Sequence, residues 1–438
     1  MRPFGGMART VGLLAAVVLP GLTILGCSAG NNSNSSQEGS APQKLQPVTL
    51  NIVSSRPEVE ANQDMFLISP LQKKYPHITV KLSGETPEKL LAAGVPIDLY
   101  IAPHFGLSKY VQLGLAEDME SLMKKHGFDA NRINPVVIQT LKANSTDGKQ
   151  LVALPFYQQF TALYYNKDIF NTLGVPYPQD GLTWDDTLQL AKRVTRSLNG
   201  VNYYGFKPDS IQRMAEQFGL TQVDAKTNKA SVNTENYRRV FALSHEFFSI
   251  PGNLPKSLSD VNANPLNMFI KDQNLSIYYA VNRLPNLKDS NVNWDMAQAP
   301  FFSERPDVGS IVDTWIIGVS KASAHKDDAF RVVETLLSDE VALKAARTLG
   351  FVSPLVNPAL KEQFGAELDY LKGKNTKVIF KSKSIAHDPH NVYRDIVGAE
   401  KIMFDEHAKY IMGEQDLNTA LRRADELINA KMAEVLAR

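Results

Sequence analysis

The chain has 438 residues, 43% hydrophobic and 21% charged, with 47 Lys and Arg against 46 Asp and Glu for a formal net charge of +1. These are ordinary globular values, and the balance of charge gives no ground for a nucleic-acid or anionic-membrane partner. One cysteine excludes an intramolecular disulfide, so the body must rely on apolar cores, and its length suits two domains.

The first residues carry Arg2 and Arg9, followed by an apolar run over 11–24 broken by Pro20 and Gly21. A basic start before a short apolar run is the order of an export signal, and the run is too short to span a bilayer comfortably. Ile24, Leu25, Gly26 and Cys27 then resemble the lipobox of bacterial lipoproteins, and Cys27 is the chain's lone cysteine. The reading is a signal peptide over 1–26, with Cys27 as the lipidated mature N-terminus carrying two acyl chains, the number stable anchoring requires. Residues 27–47 read as a tether, since 28–43 are almost all Ser, Asn, Gly, Gln and Ala, with too little apolar surface to order. Without the signal, 45 basic residues face 46 acidic ones, a formal charge of −1.

Beyond the tether, 48–53 is a β-branched run suited to a buried strand. Met65, Phe66, Ile68 and Leu71 have helical spacing up to Pro76, and 78–82 alternates as a second strand. A helix ends at Gly94, and a third strand over 97–102 leads into Pro103, His104 and Phe105. Strands alternating with helices argue for parallel sheets covered on both faces. Ligands in such sheets sit beyond the carboxyl ends of the strands, here at 54–56 and 103–106.

Leu151–Leu154 reads as an apolar strand leaving one domain and Leu163–Tyr165 as a strand entering the next. Lys167–Phe170 begins a short helix that Gly174 ends. Thr183 with Asp186 three positions on has the form of an N-terminal capping arrangement. Asn166, Lys167, Asp168 and Trp184 are best taken as structural, with ligand stacking as the alternative for Trp184. Strands follow at 274–279, 294–300 and 313–319, helices at 328–337 and 341–349. A final helix carries Leu417, Leu421, Ala424, Ile428, Met432 and Val435 as a buried stripe.

The stretch from Gly148 through Leu154 and Pro155, the run from Ala162 to Phe170, and Leu173, Gly174, Pro178 and 182–186 carry a family resemblance that extends over nearly the whole mature chain. The sequence is similar to family 1 of the extracellular solute-binding proteins, the maltose-binding-protein-like lipoproteins of carbohydrate-type ABC importers. The resemblance implies a type II periplasmic-binding-protein fold, two α/β lobes joined by a hinge with a ligand cleft between them. It implies an N-terminal lobe of 48–157 and 303–355, a C-terminal lobe of 158–302 and 356–438, and connections near 155–160, 301–306 and 354–358.

For a sugar, the chemistry asks for aromatic faces and for charged or amide groups toward hydroxyls. The first lobe offers Ser54, Arg56, Asp98, His104, Phe105, Asp313 and Trp315, with His104 and Phe105 following the strand where family members place sugar contacts. The crossing and second lobe offer Tyr157, Gln158 and either Tyr278 or Tyr279, which point to opposite faces of one strand; Tyr279 is preferred. Family members place Gly and Pro at the turn after this strand, and this chain does not.

No nucleophile elbow or phosphate loop is present, and His245 with Glu246 lacks the second histidine of a zinc-protease helix. His387 and His390 flank Asp388 and Pro389; the proline argues against a helical metal pair, and a surface loop is expected. Asp185 and Asp186 suit a helix start better than a glycosidase acid pair. The expectation is a monomeric binding protein with no cofactor or metal, held on the extracellular face of the cell membrane and delivering a small solute, a sugar or oligosaccharide, to ABC permease subunits. Presentation to a membrane sensor is the alternative on the same fold, and a secreted hydrolase the other class.

Overall fold

The computed structural model describes residues 46–145 and 148–437; the export signal, Cys27 and nearly all of the tether lie outside these. Val48, Leu50 and Ile52 are buried with Val53 beside them, and this run forms β1 (Val48–Ser54) at the centre of a parallel trio with β2 (Ile78–Ser83) and β3 (Leu99–Pro103). The first sheet has the order β2-β1-β3-β11-β4, where β4 is Leu154–Gln158 and β11, Thr314–Val319, runs antiparallel to both of its neighbours. β11 comes from far along the chain, so the first lobe is discontinuous in sequence. Its core draws on residues 48–154 together with Val312–Leu360.

The second sheet has the order β6-β7-β8-β5-β9, from β5 (Thr161–Asn166), β6 (Arg196–Leu198), β7 (Val201–Pro208), β8 (Leu275–Val281) and β9 (Trp294–Gln298). β5 lies antiparallel between β8 and β9, and all six of its residues are buried. On one face the helices Trp184–Val194, Glu235–Phe248 and Leu417–Leu436 cover it. The last of these buries Leu421, Ala424, Ile428 and Met432 of the stripe read from the sequence, together with Ala420, while Leu417 and Val435 at its ends are partly buried. Each residue of such a stripe contributes roughly 1.5–3 kcal/mol when its side chain is fully buried and large.

A strand expected over 151–154 begins only at Leu154. The Leu151 carbonyl accepts from the Met119 N–H (2.9 Å), and the Val152 carbonyl accepts from the Tyr100 hydroxyl (2.8 Å), so this stretch covers the core and joins no ladder. The chain then crosses between lobes at Gln159 and Phe160. The crossing is knitted by backbone bonds: Gln158 N–H to the Val352 carbonyl (2.8 Å), Gln159 N–H to the Asp313 carbonyl (2.8 Å), and Asn282 N–H to the Phe160 carbonyl (2.9 Å). A two-stranded parallel ribbon of β10 (Val308–Ile311) and β12 (Lys383–Ile385) runs beside it. Among the described residues no helix is long and apolar enough to cross a membrane.

Candidate functional site

Because β11 runs against β3, its amino end meets the carboxyl ends of β1 and β3 at one edge of the first sheet, and Trp315 lies opposite both Pro103 and Tyr157. Ser54, Arg56, His104, Phe105, Tyr157, Asp313 and Trp315 are therefore gathered at this edge. Asp98 is not. It precedes β3 at the far end, where its carboxylate accepts from the Asn51 N–H (2.9 Å) and the Ser323 hydroxyl (2.6 Å), a tie between two loops. Gln158 alternates with Tyr157 and turns to the other face of the hinge strands, where with Val312, Val352, Lys361 and Lys383 it lines a cavity of about 440 Å³.

Arg56 organises the edge. Its guanidinium lies 4.4 Å from the Tyr157 ring and 4.3 Å from the Trp315 ring, with Phe351 beyond at 5.8 Å. A guanidinium between two rings is a cation–π clamp that holds each aromatic in one orientation. Ser54 supports the turn into it, its hydroxyl accepting from the Arg56 N–H (3.2 Å). The Tyr157 hydroxyl donates to the Gln159 amide oxygen (3.0 Å) and accepts from the Asn282 amide (2.9 Å), which joins the first lobe's edge to the end of β8.

The second lobe answers with charges that sequence reading missed. Asp209, at the end of β7, accepts from Arg283 (3.1 Å), Arg213 (3.3 Å) and the Val281 N–H (3.0 Å), while Arg213 also donates to Glu216 (2.7 Å). Asp313 lies in the fields of Arg213 and Arg56; burial raises its pKa, and the two guanidiniums oppose that rise. Glu216 is pushed up to about 7, first by burial and then, against Arg213, by Asp313 and Asp209. Three guanidiniums and three carboxylates thus meet with no net charge when all are ionised. None of the four second-lobe carriers follows a motif; only the turns after β7 and β8, in the position equivalent to the first lobe's strand ends, mark them.

Tyr279, the preferred aromatic of β8, is fully buried. It packs edge-on against Trp184 at 5.0 Å, and its hydroxyl donates to the Gly309 carbonyl (3.1 Å). Trp184 is likewise buried, its indole N–H donating to Gln217 (2.8 Å). Tyr278 turns to the opposite face, and its hydroxyl accepts from Arg283 Nε (3.0 Å), so it touches the charged cluster through its tip.

His104 is 1% exposed, and it is matched by two residues expected on the surface. The segment of His387 and His390 is irregular, as Pro389 requires, but it folds inward: His387 is 7% exposed, and its Nε2 lies 3.0 Å from Nε2 of His104. Burial, then the neighbouring His387, hold the His104 pKa down to about 3. Burial lowers His387 and His390 as well. Phe105, 41% exposed, packs edge-on against the rings of His104 and His390 from outside.

Taken together, the edge of one lobe and the strand ends of the other present aromatic faces, amides and a charge-balanced set of donors and acceptors. This is chemistry for holding a hydroxyl-rich molecule; the described residues show no nucleophile paired with a base at the seam. Among solved structures the fold is similar to an ABC substrate-binding protein of Listeria monocytogenes in complex with cycloalternan (TM-score 0.70, 20% identity, 89% of this chain and 100% of that one). It is also similar to the sugar-binding protein MalE of Xanthomonas citri (TM-score 0.69, 17% identity, 89% and 98%). A Brucella abortus protein provisionally named a binding protein is 24% identical over 294 residues, 64% of this chain and 66% of its own length, just under two thirds. Residues 56–343 match the model of the bacterial extracellular solute-binding proteins. The chain belongs to that family, whose members bind solutes and are not enzymes.

Proposed function

We propose that this protein captures a neutral saccharide between its lobes and hands it to the membrane subunits of an ABC importer. The observation that carries the reading is the seam itself: the guanidiniums of Arg56, Arg213 and Arg283 meet the carboxyl groups of Asp313, Asp209 and Glu216, close to balance and short of it by the protonated fraction of Glu216, beside the rings of Tyr157, Trp315 and Phe105. A solute with many hydroxyls and no charge can bond to such a set as donor and acceptor at once, whereas a charged solute would unbalance it. That two similar structures are named for cycloalternan and for sugar binding supports the class. Arg56, Phe105, Asp313 and Trp315 are the first lobe's contacts in this reading, and Tyr157, 1% exposed with its ring against Arg56, holds the clamp in place. Ser54 positions Arg56, while His104 and Tyr279 are occupied elsewhere. Export and anchoring through Cys27, with the protein acting as a monomer on the outer face of the cell membrane, rest on the lipobox sequence.

Lobe closure requires the ligand to favour the closed form, by about 5.5 kcal/mol to carry the population from 1:99 to 99:1, so contacts must come from both sides of the seam. A thermal-shift screen of oligosaccharides, monosaccharides, polyols, sugar acids and peptides tests the reading, since a ligand at one hundred times its Kd adds about 2.7 kcal/mol to the native state. A neutral saccharide is expected to raise the Tm and to be recovered unchanged. A shift given only by peptides or anions would overturn the assignment.

A further inference from the structure

His104, His387 and His390 adjoin the seam, His104 lying 4.0 Å from the Asp313 carboxylate, and their geometry is that of ligands around a single ion. One ring nitrogen from each lies within 4.8 Å of the others. The ring centres are 5.1 Å apart for His104 and His387, 5.1 Å for His387 and His390, and 6.0 Å for His104 and His390, with the planes inclined at 68°, 60° and 57°. An ion bound tetrahedrally at about 2.0–2.1 Å holds two ligating nitrogens about 3.3 Å apart and their ring centres about 5 Å apart. The observed 3.0 Å between the Nε2 atoms of His104 and His387 lies close to this. The second shell agrees for His387: its Nδ1–H donates to the Asp388 carbonyl (2.6 Å), which leaves Nε2 as the lone-pair nitrogen and fixes the ring.

We propose that these three histidines form a binding site for a divalent transition ion of the zinc class. His104 belongs to the edge of the first sheet. His387 and His390 sit on the segment after β12, which is fastened to the second lobe by Asn391, whose amide donates to the Asp224 carbonyl (3.1 Å) and to Asn228 (2.7 Å). The ion therefore bridges the two lobes, and its occupancy biases them toward closure. Three imidazoles, borderline-soft and uncharged in this buried setting, suit zinc, copper, nickel or cobalt, and not calcium or magnesium. The proposal stands independently of which solute the seam accepts.

Two contacts describe the state without an ion. The Thr314 N–H points at Nδ1 of His104 (3.3 Å), so Nε2 of His104 carries the proton and donates it to Nε2 of His387. The ion takes this proton's place, and the proton moves to Nδ1 of His104, which gives up the Thr314 N–H and donates instead toward the Asp313 carboxylate 4.0 Å away. No proton is gained or lost. Arg394 donates to Nδ1 of His390 (3.0 Å) while paired with Asp395 (2.8 Å). A ligating His390 needs at Nδ1 either a free lone pair or an N–H, so the guanidinium opposes the ion in both cases and must turn toward Asp395.

The test is calorimetric titration of the chelator-treated protein with Zn²⁺, together with the visible spectrum of the Co²⁺ form. One ion per chain is expected, with the intense absorption of tetrahedral cobalt, at least tenfold weaker binding in His387→Ala and in His390→Ala, and tighter binding in Arg394→Gln. No ion uptake, or uptake equal in wild type and both histidine variants, would overturn the site and leave a hydrogen-bonded histidine cluster. If neither histidine variant folds, Arg394→Gln decides: tighter binding supports the site, and unchanged binding refutes it. A saccharide screen that fails while zinc binds separates the failure of the sugar reading from this one.

Discussion

Burial at Asp313 favours the neutral acid, and the two guanidiniums it faces, Arg56 and Arg213, favour the anion. A carboxylate in that position contributes charge-assisted bonds of roughly 1.5–3 kcal/mol to a bound hydroxyl, so Asp313→Asn is expected to weaken saccharide binding about 10- to 100-fold in an equilibrium titration. His407 makes a separate, purely structural prediction. It is buried against Phe241 and hydrogen-bonded to Ser244 (3.0 Å), and burial holds its pKa down to about 3. Its folded pKa lies below the unfolded value near 6.5, so the unfolded chain binds the extra proton between those values. Stability is complete above about pH 6.5 and falls as the pH drops toward 3, by at most about 1.4 kcal/mol per pH unit for this group. Denaturant unfolding across that range should show a shallower acid limb in His407→Gln. The residues a sequence can announce are those that follow a strand or form a motif, such as Arg56, His104 and Phe105. Asp209, Arg213 and Arg283 announce nothing alone, because their meaning comes from two distant segments, 209–213 and 281–283, converging on one carboxylate.

Among elements, the local signals were read most fully where capping and termination chemistry is self-contained. Thr183 and Asp186 form the reciprocal capping box at the start of Trp184–Val194, and Gly174 ends Lys167–Leu173 at φ 66°, where only glycine is unstrained. Thr183→Ala should therefore cost about 1 kcal/mol in denaturant unfolding without altering solute affinity. What the pattern could not give is the fit of β11 against β3. A Cβ on Gly318 would lie 2.1 Å from the Tyr100 ring, which itself stacks on Tyr110 at 4.2 Å. Gly318→Ala is expected to destabilise by roughly 1–3 kcal/mol through overpacking, measured as a lower denaturation midpoint. The hairpin of β6 and β7 and the ribbon of β10 and β12 were also not foreseen. β6, β10 and β12 are only three or four residues long, β7 is exposed where it pairs with β6, and the partners' positions depend on the whole fold. Buried His387 and half-buried His390 belong to the same class: Pro389 correctly excluded a helix, but nothing local says which way an irregular segment faces.

For the whole molecule, the alternation of strands and helices and the apolar crossing at 154–165 made the two-lobed class readable. The discontinuous lobes follow because β11 returns from the far side of the second sheet to lie between β3 and β4. The crossing at Gln159 and Phe160, and the bonds of Asn282 and Gln159 to either side of it, give the lobes a narrow connection suited to rotation. Capture by closure holds the solute between lobes that shut on it. It is tested most directly by the radius of gyration from small-angle X-ray scattering, with and without the neutral saccharide that gives the greatest thermal shift. A decrease at saturation is predicted, whereas an unchanged radius in a protein shown to be saturated would contradict capture by closure.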